Sequence, residues 1–92
     1  MENKIYSLVF SKDAFKQLKK IQDKKIQAKI NLIFQEIITN PYSPGHKFER
    51  LKGDKSAYCS KRLNQKDRIY YQVVDSEITV FIISVTGHYS DN

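Results

Sequence analysis

The feature that most constrains this chain is a change of hydrophobic period at Asn40-Pro41. Before it, Ile26, Ile30, Ile33, Phe34, Ile37 and Ile38 recur at helical spacing, and Lys24, Lys25, Lys29 and Glu36 are assigned to the outer face. After it, apolar residues alternate or run in short blocks, separated only by Asn64-Gln65-Lys66-Asp67 and Asp75-Ser76-Glu77. Linkers that short cannot carry a crossover. Ala57 to Asn64, Arg68 to Val74 and Ile78 to Thr86 are therefore predicted to be three consecutive antiparallel strands. The residue before a proline avoids helical geometry, which places the helix end at Asn40.

Upstream of the long helix, Ile5 to Phe10 reads as a strand covered on at least one side. Ser11 can cap a first helix, with Asp13 in its first turn and Phe15, Leu18 and Ile21 as its buried stripe. Asp23 caps the second helix, and the turn between the two is short enough to make them an antiparallel hairpin. Pro41 to Lys47 is a loop, Lys47 to Lys52 a short extended piece, and Gly53-Asp54-Lys55 a turn. The expected fold class is α+β: an N-terminal strand and an antiparallel helical hairpin packed on a curved, mainly antiparallel sheet. One domain over residues 1–92 accounts for the whole pattern. A chain of this size buries roughly two-thirds of its unfolded surface, so its core is thin.

Strand parity divides the side chains. Ile69, Tyr71 and Val73 share a face expected to pack on the helices, and Arg68, Tyr70 and Gln72 point the other way. Tyr58, Ser60 and Arg62 make a similar row on the preceding strand, and Ser84, Thr86 and His88 share a face if the last strand runs that far. The sheet then presents an Arg/Tyr/Ser/His-bearing surface away from the hairpin.

Sixteen Lys and Arg against ten Asp and Glu give a net charge of +6, which favours polyanionic partners. Cys59 is the single cysteine, so no internal disulfide forms, and one thiol with two histidines is a poor inventory for zinc. Cys59 is expected to be a small, half-buried strand residue. No apolar run is long enough to span a membrane, and Met1-Glu2-Asn3-Lys4 lacks a signal-peptide pattern, so the expected location is the cytoplasm, with no membrane partner.

Cutting an RNA phosphodiester with its own 2′-hydroxyl requires a base, an acid for the leaving 5′-oxygen, and a cation for the phosphorane. Glu49, His88 and Arg68 are residues of those types that a meander can bring together. Spacing alone leaves each a plainer role. Glu49 could be half of a surface ion pair, Arg68 a solvated strand start, and His88 a residue near a frayed end. His46, in the proline-bearing loop, is expected to be solvated.

The blocks Glu49-Arg50-Leu51-Lys52-Gly53, Tyr58-Cys59-Ser60-Lys61-Arg62-Leu63, Asp67-Arg68-Ile69-Tyr70-Tyr71-Gln72-Val73 and Gly87-His88-Tyr89 bear on that choice. Together they resemble the YoeB/Txe toxins of bacterial toxin–antitoxin systems, within the RelE/ParE superfamily, over essentially the whole chain. The resemblance implies a RelE-like fold and a cytoplasmic endoribonuclease that cuts mRNA on translating ribosomes without a metal or other cofactor. It implies Glu49 as general base, His88 as general acid, Arg68 as the phosphate-stabilising cation and Tyr89 as a substrate-positioning tyrosine. Lys52 and Arg62 match phosphate-contacting residues, and Tyr58 and Ser60 lie on the same expected substrate face. The implied partners are mRNA at the ribosomal decoding site and a cognate YefM/Axe-like antitoxin, with operator DNA reached only through the antitoxin complex. A homodimer is left open.

Three departures from the family pattern stand out. Cys59 sits where relatives often have a large aromatic, which implies altered stacking of the bound nucleotide. Lys61 replaces an arginine, keeping the charge but losing the bidentate fork. Ser90-Asp91-Asn92 extends past a tyrosine that usually ends the chain. Two other readings compete: a RelE-like nuclease with a different catalytic set, which Glu49 and His88 argue against, and a ParE-like gyrase poison without nuclease activity. A plain RNA-binding module would bind with steep salt dependence and cut nothing.

Overall fold

The computed structural model of the chain describes residues 4–51 and 57–86. In chain order the elements are β1 (Ser7–Phe10), α1 (Lys12–Lys20), α2 (Lys24–Thr39), β2 (Glu49–Arg50), β3 (Tyr58–Arg62), β4 (Arg68–Val74), a 3-10 turn at Asp75–Glu77, and β5 (Thr79–Ser84). The strands form one five-stranded sheet in the order β1-β5-β4-β3-β2. Strands β2 to β5 pair antiparallel, as the short linkers require, and β1 closes the other edge parallel to β5. The architecture is the expected α+β one.

Both helices begin where the sequence places their caps. Ser11 Oγ accepts from Ala14 N at 2.9 Å, and Asp23 Oδ1 accepts from Lys25 N at 2.8 Å. Each such cap satisfies a first-turn amide and is worth about 1 kcal/mol. Helix α2 ends at Thr39 and buries Ile30, Ile33, Phe34 and Ile37. Against them lie Ile69, Tyr71 and Val73 of β4, Val80 and Ile82 of β5, and Cys59 of β3, with Ala14, Leu63 and Val85 in the same core.

The stripe expected on α1 is different. Ala14 is the buried residue and Leu18 and Ile21 pack against the core, but Phe15 is 53% exposed. A three-residue spacing from Leu18 points to Phe15, yet the small Ala14 lets α1 approach the sheet one residue earlier. Phe15 is left beside Lys19, whose ammonium lies 4.8 Å from its ring centroid.

Two tyrosines tie the ends of the fold together. Tyr6 donates to Asp75 Oδ1 at 2.6 Å and Tyr42 to Oδ2 at 2.8 Å. These hydrogen bonds hold the Asp75 carboxyl below its usual range, against the opposing effect of burial. Tyr71, fully buried, donates to Pro41 O at 2.7 Å and so pins the exit of α2 to the middle of the sheet.

The last strand departs from simple alternation. Tyr70 pairs with Ser84 but Tyr71 with Ile82, so β5 carries Ile83 as an extra residue. The strand ends at Ser84, short of the expected Thr86. Beyond the bulge Ser84 faces α1, where Gln17 Oε1 lies 3.3 Å from its hydroxyl. The same amide oxygen accepts from Val85 N at 2.6 Å and Thr86 N at 3.2 Å. Parity therefore does not carry Ser84 onto the face opposite the helices, and His88 lies outside the described residues.

Burial sets the expected cost of truncation. Ile33→Ala, at a position with no exposure, should lower the unfolding free energy by about 2–5 kcal/mol in a denaturant titration. Phe15→Ala should cost less than about 1 kcal/mol. Comparable losses at the two sites would contradict the placement of Phe15 outside the core.

Candidate functional site

The sheet face turned away from the helices gathers the polar residues of β2, β3 and β4. Pairing aligns Glu49 with Ser60 and Ser60 with Tyr70, so one residue from each strand stands in a transverse row. Arg62 is opposite Arg68, and Tyr58 is opposite Gln72. Alternation explains the sorting. Phe48 packs against the core and Arg50 lies 4.8 Å from the Tyr42 ring, so Glu49 between them turns outward.

Arg68 is held on this face by three hydrogen bonds. Its Nε and Nη2 donate to Ser60 Oγ at 3.1 and 3.0 Å, and Nη2 also donates to Lys47 O at 2.9 Å. Ser60 is buried beneath it, with 1% exposure. The guanidinium thus has a fixed plane before any substrate arrives. Glu49 Oε1 lies 3.5 Å from Arg68 Nη2, long for a hydrogen bond, and the Glu49 side chain is 65% exposed. A carboxylate open to solvent and an immobilised cation therefore stand side by side. Such a pair can accept a proton and steady an anion at neighbouring points.

Of the residues assigned from sequence, Glu49, Arg68, Ser60, Arg62 and Tyr58 lie on this one face of β2, β3 and β4. Lys52, His88 and Tyr89 lie outside the described residues, as does the tail Ser90-Asp91-Asn92. The extended piece expected from Lys47 to Lys52 is a strand only at Glu49–Arg50, because His46 and Lys47 both adopt left-handed backbone, with φ of 58° and 52°.

The neighbouring residues Cys59, Lys61, His46 and Glu36 differ from expectation. Cys59 is fully buried on the helical side of β3, so it cannot affect stacking of a nucleotide on the opposite face. Lys61 shares that inward side and is fully buried, so the charge it keeps at this position lies behind the sheet rather than on the polar face. His46 is not solvated: its Nδ1 lies 3.0 Å from Glu36 Oε1, and its side chain is 19% exposed. Glu36 accordingly turns inward from α2, where its carboxylate also lies 3.5 Å from Lys61 Nζ. Helical periodicity placed Glu36 outside because it counts apolar residues only. The signal that could have found it is the odd parity of Lys61, which puts a charge among core positions and calls for a partner.

Residues 10–89 match the family model of the YoeB-like toxin of bacterial type II toxin–antitoxin systems. The chain belongs to that family. It is 37% identical to the toxin YoeB of Synechocystis over 67 residues, 73% of this chain and 76% of that protein. The YoeB dimer of Staphylococcus aureus superposes with a TM-score of 0.78 at 34% identity, covering 91% of this chain and 98% of that one. A heterotetrameric YoeB–YefM toxin–antitoxin complex from S. aureus gives a TM-score of 0.77 at 34% identity, covering 91% and 98%. The chain is thus a type II toxin of the YoeB and RelE kind. Among the described residues no helix is long and apolar enough to cross a membrane.

Burial also fixes the behaviour of the thiol beneath the site. It pushes Cys59 up to about 11, and nearby Arg50 and Lys61 only partly offset this. At pH 8 the native protein should resist alkylation by iodoacetamide and react rapidly only in denaturant. Fast labelling of the folded protein would contradict the burial of this strand face.

Proposed function

We propose that this toxin is a ribosome-dependent endoribonuclease that cuts mRNA and thereby stops translation. The observation that carries the reading is the Glu49–Arg68 pair: an open carboxylate 3.5 Å from a guanidinium locked by Ser60 and the Lys47 carbonyl. Glu49 takes the proton from the 2′-hydroxyl as that oxygen attacks phosphorus. Arg68 holds the charge that builds on the phosphorane oxygens. His88 gives a proton to the departing 5′-oxygen, so the P–O5′ bond breaks and a 2′,3′-cyclic phosphate forms. The three groups complete the proton balance without a metal ion.

The surrounding residues take substrate. Arg62 stands directly opposite Arg68, a like-charge pairing that is unfavourable in an empty sheet and favourable once a phosphate lies between. Lys52 adds a further phosphate contact. Tyr58 and Tyr89 offer stacking surfaces, with Tyr89 positioning the base, and Ser60 acts through Arg68. The net charge of +6 suits a site that must reach RNA on a ribosome. The family pattern and the S. aureus complex support a cognate YefM/Axe-like antitoxin that neutralises the toxin, and the S. aureus dimer supports a homodimer. Operator DNA is reached through the antitoxin complex, and the protein works in the cytoplasm.

Single-turnover cleavage of mRNA on purified ribosomes tests the assignment. Glu49→Gln and His88→Gln should each slow it by about a hundredfold or more. Cleavage at wild-type rate by both would sink the acid–base roles, and gyrase–DNA breaks without mRNA cuts would support the ParE-like activity instead. For Arg68→Ala the rate should fall by about a hundredfold or more while ground-state RNA affinity falls far less. An equal loss of both would make Arg68 a binding residue only.

A further inference from the structure

On the helical side of β3, behind Ser60 and Arg62, the Lys61 ammonium is enclosed. It donates to Ser43 O and Gly45 O, both at 2.8 Å, and to Ser43 Oγ at 3.2 Å. Glu36 Oε1 lies 3.5 Å away and the Phe48 ring centroid 5.3 Å away. The arrangement is that of a cation bound by a loop, with the cation supplied by the sheet. The loop between α2 and β2 has little regular pairing of its own, and without Lys61 the Ser43 and Gly45 carbonyls would lose the donor they share. Burial pulls the lysine below its ordinary value and the Glu36 carboxylate pulls it back in part.

The loop so gathered leads directly into the candidate site. Glu36 also holds the His46 ring at 3.0 Å. Arg62 N donates to His46 O at 2.6 Å, and Arg68 Nη2 donates to Lys47 O at 2.9 Å. His46 and Lys47 are both in the left-handed region, a cost that persists only where the surroundings hold it. Two residues later comes Glu49, on a strand of only two residues. So short a strand has little capacity to set its own position.

We propose that Lys61, with the Glu36 carboxylate beside it, is a positioning residue that sets Glu49 against Arg68 by organising the loop at Ser43–Lys47. The inference rests on the reading of Glu49 as the general base. Lys61 faces away from the substrate side, so it acts on the reaction only through the loop. A displacement of about 1 Å of a catalytic group can cost about a hundredfold in rate. The lysine therefore affects cleavage far more than RNA binding.

A double-mutant cycle on single-turnover mRNA cleavage tests this, using the full chain with folding checked by circular dichroism. Lys61→Met should slow cleavage about tenfold or more, with RNA affinity within about threefold of wild type. In the Glu49→Gln background the same substitution should slow residual cleavage several-fold less than in the wild type, because the part of its effect that passes through the carboxylate is gone and only the part that reaches Arg68 through Lys47 O remains. Equal slowing in both backgrounds, or no slowing in a folded Lys61→Met protein, overturns the proposal. If Lys61→Met does not fold, Glu36→Ala carries the same cycle from the partly exposed side of the pair, with the same two outcomes. Wild-type cleavage by Glu49→Gln alone would instead remove the base assignment on which the inference rests.

Discussion

The rest of the structure is arranged around one buried charge. Removing an ammonium from water costs several kcal/mol unless fixed dipoles or a counter-charge replace its hydration. Lys61 has both: two backbone carbonyls, a hydroxyl and the Glu36 carboxylate. Those groups come from α2 and from the loop after it, so satisfying the lysine brings helix, loop and sheet into one relation. The buried Tyr71 fixes the start of the same loop through Pro41 O, and Lys61 fixes its middle through the carbonyls of Ser43 and Gly45.

Sheet register carries the same order to the opposite face. Glu49, Ser60 and Tyr70 stand in line because β2, β3 and β4 pair without interruption. Ser60 is small enough to be buried under the guanidinium of Arg68, and its hydroxyl accepts from two of that group's nitrogens. A larger residue would lift the arginine, and an apolar one would leave two donors over a dry surface. Facing arginines at Arg62 and Arg68 concentrate positive charge where an anion has access. The face therefore offers a held positive charge to an anion.

Much of this was legible in the sequence, for physical reasons. Capping residues act locally, so Ser11 and Asp23 announced their helices, and strand β4 was readable to the residue because Ile69, Tyr71 and Val73 alternate cleanly. The short linkers left no topology but a meander. Other features depend on tertiary partners that periodicity does not count. Glu36 looked like an outer-face charge because its partners, His46 and Lys61, are 10 and 25 positions away in sequence. Phe15 looked buried because spacing cannot tell that Ala14 permits closer packing. The bulge at Ile83 was invisible because β5 is apolar on both faces, and a slip within an apolar run leaves no mark in the pattern. On the opposite face, Arg68, Ser60, Arg62 and Tyr58 were placed by parity, which needs only strand existence, whereas the side taken by Glu49 follows from the pairing of β2 with β3.

Fold alone does not choose among chemistries. What separates them is the chemistry of one sheet face. An immobilised arginine can serve any anion, including the backbone of DNA or an acidic peptide. A carboxylate at 3.5 Å from it is different, because it costs affinity for every anion that binds there. Under the proposed nuclease reading, its presence beside the cation is explained as the group that removes a proton from the nucleophile. The two-residue strand that carries Glu49 then has a reason to be braced from behind, since a base must be held to within a fraction of an ångström and a mere surface charge need not be.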